Sequence, residues 1–338
     1  PIQGGVVRDW PALAAFWQYL FFHHFHVDPR RNDTHVTLLT PMRWTPHEVE
    51  RAVQILFEAV RVPSVLVIEQ PAAVLYAMNL GTGVVIDFGA ETTAITAVVE
   101  NSVVRHTAVC LDVGGHDMDA CLLAAMRKAG TVPPHLLTLA FARAVRTSGL
   151  FEPYPLEQPA LPADRRRLIA SGAAVPFVYE GETVMLGPER FAFIDVYFAP
   201  DAECQYESGP DAPLVSIAQK RGVALPEMLA HVINTSVLPD RRVTLWESLV
   251  LCGGVAQQPG LYRALERHLL ADVLAVAETS NEQQAKEVRA LGFAEYFTAF
   301  KGRPDLGTIL GGIVITKSPF ANMMTYVSRE RYDAFGPS

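Results

Sequence analysis

The residues best suited to chemistry fall in three short stretches. In "VVIDFGAETTAITAV" (84–98), two runs rich in Val, Ile and Thr flank a polar turn that carries Asp87, Gly89, Thr92 and Thr93. A carboxylate at a strand end, a glycine that lets backbone close on an anion, and two hydroxyls are the groups with which a hairpin wraps a phosphate and its magnesium ion. Ala90 stands where such a turn would profit from a second acid. In "LDVGGHDMDACLL", Asp112 ends a strand and Gly114 with Gly115 opens a helix. In "LVLCGGVAQQPGLYRAL", a buried strand feeds Gly253 and Gly254, and Pro259 is expected to begin a helix whose first N–H groups can face an anion or a purine. Each stretch alone also fits a bland reading, an ordinary hairpin or a plain strand-to-helix connection.

The surrounding sequence predicts the elements that must hold these groups. A mostly apolar helix is expected over 11–25 and a short strand over 35–40. Thr45, Pro46 and Glu48 supply an N-cap, a first-turn proline and a capping-box acid, with Val49, Val53, Leu56, Phe57 and Val60 on one face of the helix that follows. "PSVLVIE" reads as a buried strand and "PAAVLYAM" as a short helix from Pro71. Strands over 82–87, 92–99 and 102–109 form a meander, followed by helices over "HDMDACLLAAMRKA" and 134–147. Proline-rich "FEPYPLEQPALPADRRR" marks a loop or linker, and "FVYEGETVML" a hairpin about Glu180 and Gly181. Helices near 225–236 and 241–246 precede the strand ahead of Gly253, and "LGTILGGIVITKS" is apolar with small residues. Helices alternating with strand clusters indicate an α/β architecture with mixed sheets.

Composition limits the function. A chain of 338 residues, half hydrophobic and 19% charged, has enough apolar material for two globular lobes. A net charge of −8 argues against direct binding of nucleic acid, and only "RRNDTH" and "ADRRRL" are locally basic. The four cysteines (Cys110, Cys121, Cys204, Cys252) form no Cys-x-x-Cys pair, which suits a reducing compartment without a zinc site or a disulfide framework. No apolar run reaches the roughly 18 residues of a membrane span. The cluster His23, His24 and His26 has only Asp28 near it at ligand spacing, so a helix end is the plainer reading than a metal site. Trp10, Trp44 and Trp246 read as packing residues.

The order of the three glycine motifs resembles the second half of actin: an Asp-x-Gly hairpin, Asp-x-Gly-Gly before a helix, then Gly-Gly with Pro-Gly after a long insertion. "PIQGGVVRDW", "QILFEAVRVPSVLVIEQPAAVLYAMNLGTGVVIDFGAETT", "GPERFAF", "LWESLVLCGGVAQQPGLYRAL" and "GGIVITKSPFANMMTYVSRERYDAFGPS" are each similar to actin, so the resemblance runs along nearly the whole chain. It implies the actin-like, ribonuclease H-like α/β superfold shared with Hsp70 chaperones and sugar kinases, two lobes around a nucleotide cleft. The matching parts would be a lobe like the family's first subdomain (1–77 with 306–338), one like its third (78–113 with 222–305) and an insertion like its fourth (114–221). The family's first phosphate loop and small lobe would lie before Pro1, leaving the fold incomplete at its N-terminus.

Family resemblance assigns Gln70 to positioning the attacking water, Asp87 to the water shell of magnesium, and Gly89, Thr92, Thr93, Asp112, Gly114, Gly115, Gly253, Gly254, Val255 and Gln258 to the nucleotide. Several departures bear on activity. Ala90 replaces the family's aspartate and Ala94 its histidine; neither member of a Lys-Glu pair survives near "RTSGL"; Gln258 stands at a tyrosine position and Asp305 at a lysine position. ATP or ADP with magnesium is therefore expected to bind weakly or without efficient hydrolysis, if at all. A partner groove would be lined by Tyr76, Ile315, Phe320, Met323 and Met324. The expected role is a structural subunit of a cytoskeletal or other multiprotein assembly, with actin or actin-related subunits as partners. The location would be cytoplasmic and cytoskeletal, with the family's nuclear members as the alternative. A polymerising ATPase with a further N-terminal segment is the competing function.

Overall fold

The computed structural model describes residues 1–149, 174–198, 205–207, 214–216, 224–274, 287–293, 296–317 and 326–337. The chain opens with a small hairpin, β1 (Ile2–Gln3) and β2 (Val6–Val7), turning at Gly4 and Gly5, both with positive φ. Helix α1 (Trp10–Gln18) is capped by Asp9, whose carboxylate accepts the Ala12 N–H at 2.9 Å, and it carries on as a π-helical turn, Tyr19–His24. The helix expected over 11–25 is thus one run with two windings. Helix α2 (Pro46–Ile55) starts on the expected capping box: Glu48 accepts the Thr45 N–H at 2.8 Å while Thr45 Oγ1 accepts the Glu48 N–H at 3.3 Å.

Two sheets carry the fold. In the first, β3 (Val36–Thr40) runs parallel to β4 (Ser64–Glu69), and β14 (Val327–Ser328) pairs antiparallel with the other edge of β4. The second is centred on β5 (Gly83–Phe88), between antiparallel β6 (Thr93–Val99) and parallel β13 (Leu249–Cys252). The strand expected over 102–109 is two strands on the outer edge of β6, β7 (Ser102–Val103) and β8 (Val109–Leu111). The 3-10 turn Arg105–Thr107 separates them, closed by Thr107 Oγ1 donating to the Val104 carbonyl at 3.1 Å.

Helix α3 (Gln70–Ala77) links the two sheets, leaving β4 and leading to β5. Helix α4 (Gly115–Ala129) buries Met118, Leu122 and Met126, one helical turn apart, in the main core and ends on Gly130 in the left-handed conformation. Helix α5 (Leu139–Thr147) starts later than the expected residue 134, because Thr138 caps it by accepting the Phe141 N–H at 3.2 Å; a 3-10 turn, Pro134–Leu136, stands ahead of it. The expected hairpin about Glu180 and Gly181 is present as β9 (Val175–Tyr179) and β10 (Glu182–Leu186). Helix α6 (Asp195–Phe198) follows, then the paired strands β11 (Gln205–Glu207) and β12 (Leu214–Ser216), and helices α7 (Leu225–Ser236) and α8 (Arg242–Trp246).

Helix α9 (Leu261–His268) begins two residues beyond Pro259, with Gly260 at its N-terminus. Helix α10 (Gly307–Lys317) crosses α3 so closely that a Cβ on Gly311 would lie 1.8 Å from the Ala73 carbonyl oxygen. Helix α11 (Arg329–Phe335) closes the chain: Tyr332 stacks on Phe57 at 4.4 Å and donates its hydroxyl to Glu58 at 2.8 Å. Trp44 and Trp246 are core residues, and Trp10 packs on Trp44 with ring centroids 6.3 Å apart. Cys110 and Cys252 are free thiols, but Cys121 is disulfide-bonded. That departs from the expectation of no disulfide framework, which rested on the absence of a Cys-x-x-Cys pair. No helix among the described residues is long and apolar enough to cross a membrane.

Candidate functional site

A cavity of about 400 Å³ lies where the two sheets face each other. The register of the second sheet lays out its floor: Cys252 pairs with Asp87, Asp87 with Ala94, and Ala94 with Cys110, giving one row across β13, β5, β6 and β8. All four residues of the row line the cavity, together with Gln70, Gly89 and Thr92. Trp17, Leu38, Leu39, Met42, Trp44 and Val74 give much of the remaining wall an apolar character. Among the described residues that line it, Asp87 and Arg43 carry the formal charges.

Burial pushes the Asp87 carboxyl above its ordinary value, and a hydrogen bond from the Cys252 thiol offsets part of that rise. Burial and the adjoining carboxylate together hold the Cys252 thiol well above the usual range, so this cysteine is a protonated donor. Burial raises Cys110 too, against the attraction of the Arg43 guanidinium. Gln70 is the first residue of α3 and its side-chain amide makes only a long contact, 3.5 Å, to the Leu39 carbonyl.

The groups read as nucleotide ligands converge in part. The hairpin turn is closed by the Gly89 N–H donating to the Thr92 carbonyl at 2.9 Å, and Thr92 faces the cavity. Thr93 faces the other way, fully buried, with Oγ1 donating to the Val113 carbonyl at 2.8 Å and meeting the Tyr197 hydroxyl at 3.1 Å. The start of α4 is turned onto the hairpin: Gly114 N–H donates to Asp117, Gly115 N–H to the Gly89 carbonyl and His116 N–H to the Ala90 carbonyl, at 2.9, 3.0 and 2.8 Å. The N–H groups of Gly114 and Gly115 therefore already have protein acceptors. Asp112 sits at the cavity mouth, more than half exposed and paired with Arg43.

Gly253 has φ +90°, and a Cβ there would lie 2.4 Å from the Phe88 carbonyl oxygen and 2.5 Å from Asp87 Oδ1, so only glycine permits this approach. Its N–H donates to the Pro304 carbonyl, whereas the space beside Gly254 is open. Val255 and Gln258 are buried. Asp305 is held by Arg303 through two hydrogen bonds of 2.9 and 2.7 Å, which keep its carboxyl below the ordinary value.

Of the expected groove residues, Tyr76 is half-buried at the edge of a cluster with Leu66, Ile68, Ala72 and Ala73. Ile315 is 1% exposed in that cluster, a core side chain rather than a groove wall, because α10 turns it onto α3. Phe320, Met323 and Met324 lie outside the described residues. His23 and His24 lie in the last turn of the Tyr19–His24 run and His26 just beyond it, where φ is positive. The residues that sequence reasoning passed over are Arg43, Glu91, Cys110 and Cys252. Cys252 directly precedes the Gly-Gly pair, but only the strand register places it beside Asp87.

Residues 1–147 match the family model described as Actin. Over 269 residues the chain is 28% identical to "Actin-related protein 2" of Saccharomyces cerevisiae (strain ATCC 204508 / S288c) and 26% identical to "Actin-related protein 2" of Acanthamoeba castellanii, each match covering 80% of this chain and 64% of the relative. It is 23% identical over 289 residues to "Actin-related protein 2" of Oryza sativa subsp. indica, covering 86% of this chain and 69% of the relative. The chain thus spans less than two thirds of the length of the first two relatives.

Proposed function

Since the chain belongs to the actin and actin-related family, we propose that it is a divergent actin-related protein serving as a structural and interaction subunit of a cytoskeletal multiprotein assembly, with nucleotide bound weakly or not turned over. The observation that carries this reading is the row Cys252, Asp87, Ala94, Cys110 on the cavity floor. Its single carboxyl is buried against a thiol, and the neighbour of that carboxyl on β6 is an alanine.

The donor set fits a magnesium nucleotide poorly. The first N–H groups of α4 are committed to Asp117 and to the hairpin carbonyls, and Arg43, the one cation among the described lining residues, is bound to Asp112. Ala90 and Ala94 can neither order a metal-bound water nor orient a nucleophile, and each such loss typically costs on the order of 10²-fold or more in rate. Open backbone at Gly254 remains able to meet a base or sugar. As partners we propose actin-related subunits of the same assembly, with Tyr76 at the rim of their docking face.

Equilibrium binding of ATP and ADP, with and without magnesium, tests the site. The reading expects weak affinity that changes little when magnesium is removed. Tight binding lost on magnesium removal would refute it.

A further inference from the structure

We propose that the cavity is held narrowed by a latch of the chain's own groups, in which Glu91 grips the Gly4 N–H and Arg43 bridges the Gly4 carbonyl to Asp112. The latch spans the two halves of the site. On one side is the tip of the β1–β2 hairpin, where Gly4 and Gly5 take φ of +58° and +73° in a turn that other residues strain to adopt. That tip is fastened locally: Trp44 Nε1 donates to the Gly5 carbonyl at 3.2 Å and Arg43 Nη1 to the Gly4 carbonyl at 2.9 Å. On the other side are the β5–β6 turn, which supplies Glu91, and the end of β8, which supplies Asp112.

Glu91 Oε2 accepts from the Gly4 N–H at 2.5 Å, and the Arg43 nitrogen that holds Gly4 also meets Asp112 Oδ1 at 2.5 Å. Ile2, Gly5, Arg43 and Trp44 all line the cavity, so the fastened hairpin is its roof. Gly5 lies close over the Thr92 hydroxyl, 3.9 Å from a Cβ built on it.

The arrangement gives a cleft that closes without a ligand. A bound anion would ordinarily draw together facing donors on two lobes; here the Glu91 and Asp112 carboxylates perform that neutralisation from within. Both contacts are partly exposed, with 31% of the Arg43 and 58% of the Asp112 side chain accessible, so each is worth at most about fivefold in the closed-to-open equilibrium and is screened by salt. A latch this weak opens readily, and opening widens access to Cys110, a half-buried free thiol lining the cavity behind it. The proposal stands apart from nucleotide affinity, because its test uses no nucleotide.

The test is the rate of iodoacetamide labelling at Cys110 on the full chain, followed by peptide mass spectrometry. Rates taken across the thiol's titration give the limiting rate on the thiolate, which separates access from the charge effect of Arg43 and Asp112 on ionisation. Glu91→Gln and Asp112→Asn should each raise that limiting rate severalfold, and the double variant about tenfold. Raising sodium chloride to about 1 M should speed labelling of the unaltered chain and leave the double variant unchanged. A limiting rate that is the same in the double variant as in the unaltered chain, with circular dichroism unchanged, would overturn the proposal. Should the variants fail to fold, a salt-independent rate in the unaltered chain would overturn it equally.

Discussion

Replacing Gly311 by alanine pits two opposed effects against each other at the crossing of α3 and α10. Alanine is the better helix residue by about 0.8–1.0 kcal/mol, which favours the variant. Its Cβ, however, would stand 1.8 Å from the Ala73 carbonyl oxygen and 2.3 Å from the carbonyl carbon, where ordinary contact begins at 3.4 Å. The helices must therefore part by about 1.6 Å, and the obstructing atoms are backbone that cannot rotate away. Overpacking of this kind costs about 1–3 kcal/mol, and a rigid obstacle places it at the upper end, so the net loss is roughly 2 kcal/mol. In a chain of this size that lowers the melting temperature by roughly 3 °C. Gly312→Ala is the control, because its Cβ meets the flexible end of Leu39 at 2.9 Å and the propensity gain offsets a small shift. Thermal and urea unfolding followed by circular dichroism measure both. A Gly311→Ala midpoint within about 1 °C of the parent would refute this expectation, as would equal losses for the two variants.

The pH dependence of stability carries two further predictions. Asp87 has a raised carboxyl because of burial, so the folded state binds its proton more tightly than the unfolded state does; stability from this group is present below the ordinary value of 3.8 and is lost as pH rises through the higher folded value. Asp87→Asn should accordingly be more stable than the parent in urea at neutral pH, with the difference shrinking toward pH 3.8, and a variant less stable at pH 7 would contradict this. Tyr332 is pushed up to about 12 by burial and by the hydrogen bond to Glu58, so its contribution persists below the ordinary value of 10.0 and is lost as pH rises through about 12. An ultraviolet phenolate titration should contain a component near pH 12 that disappears in Tyr332→Phe.

Local patterns made much of the fold legible. The capping box at Thr45 and Glu48, the hairpin at Glu180 and Gly181, and the strand before Gly253 were readable because a few adjacent residues specify each one. The break between β7 and β8 was not: Thr107 closes the turn on the Val104 carbonyl and also meets Ser236, far along the chain, at 2.6 Å. The candidate site divides in the same way. Asp87, Gly89 and Thr92 announced themselves by type and spacing, whereas Thr93 turned inward on the strand's alternation and Ile315 onto α3. Cys252, Cys110 and Arg43 carry no motif; register and the approach of two sheets make them neighbours of Asp87 and Asp112.

Phosphate release from magnesium ATP by the purified full chain is the direct test of the proposed actin-related scaffold without efficient nucleotide hydrolysis. The account predicts release indistinguishable from buffer, and the same result for Gln70→Ala. Sustained turnover that Gln70→Ala abolishes would contradict it.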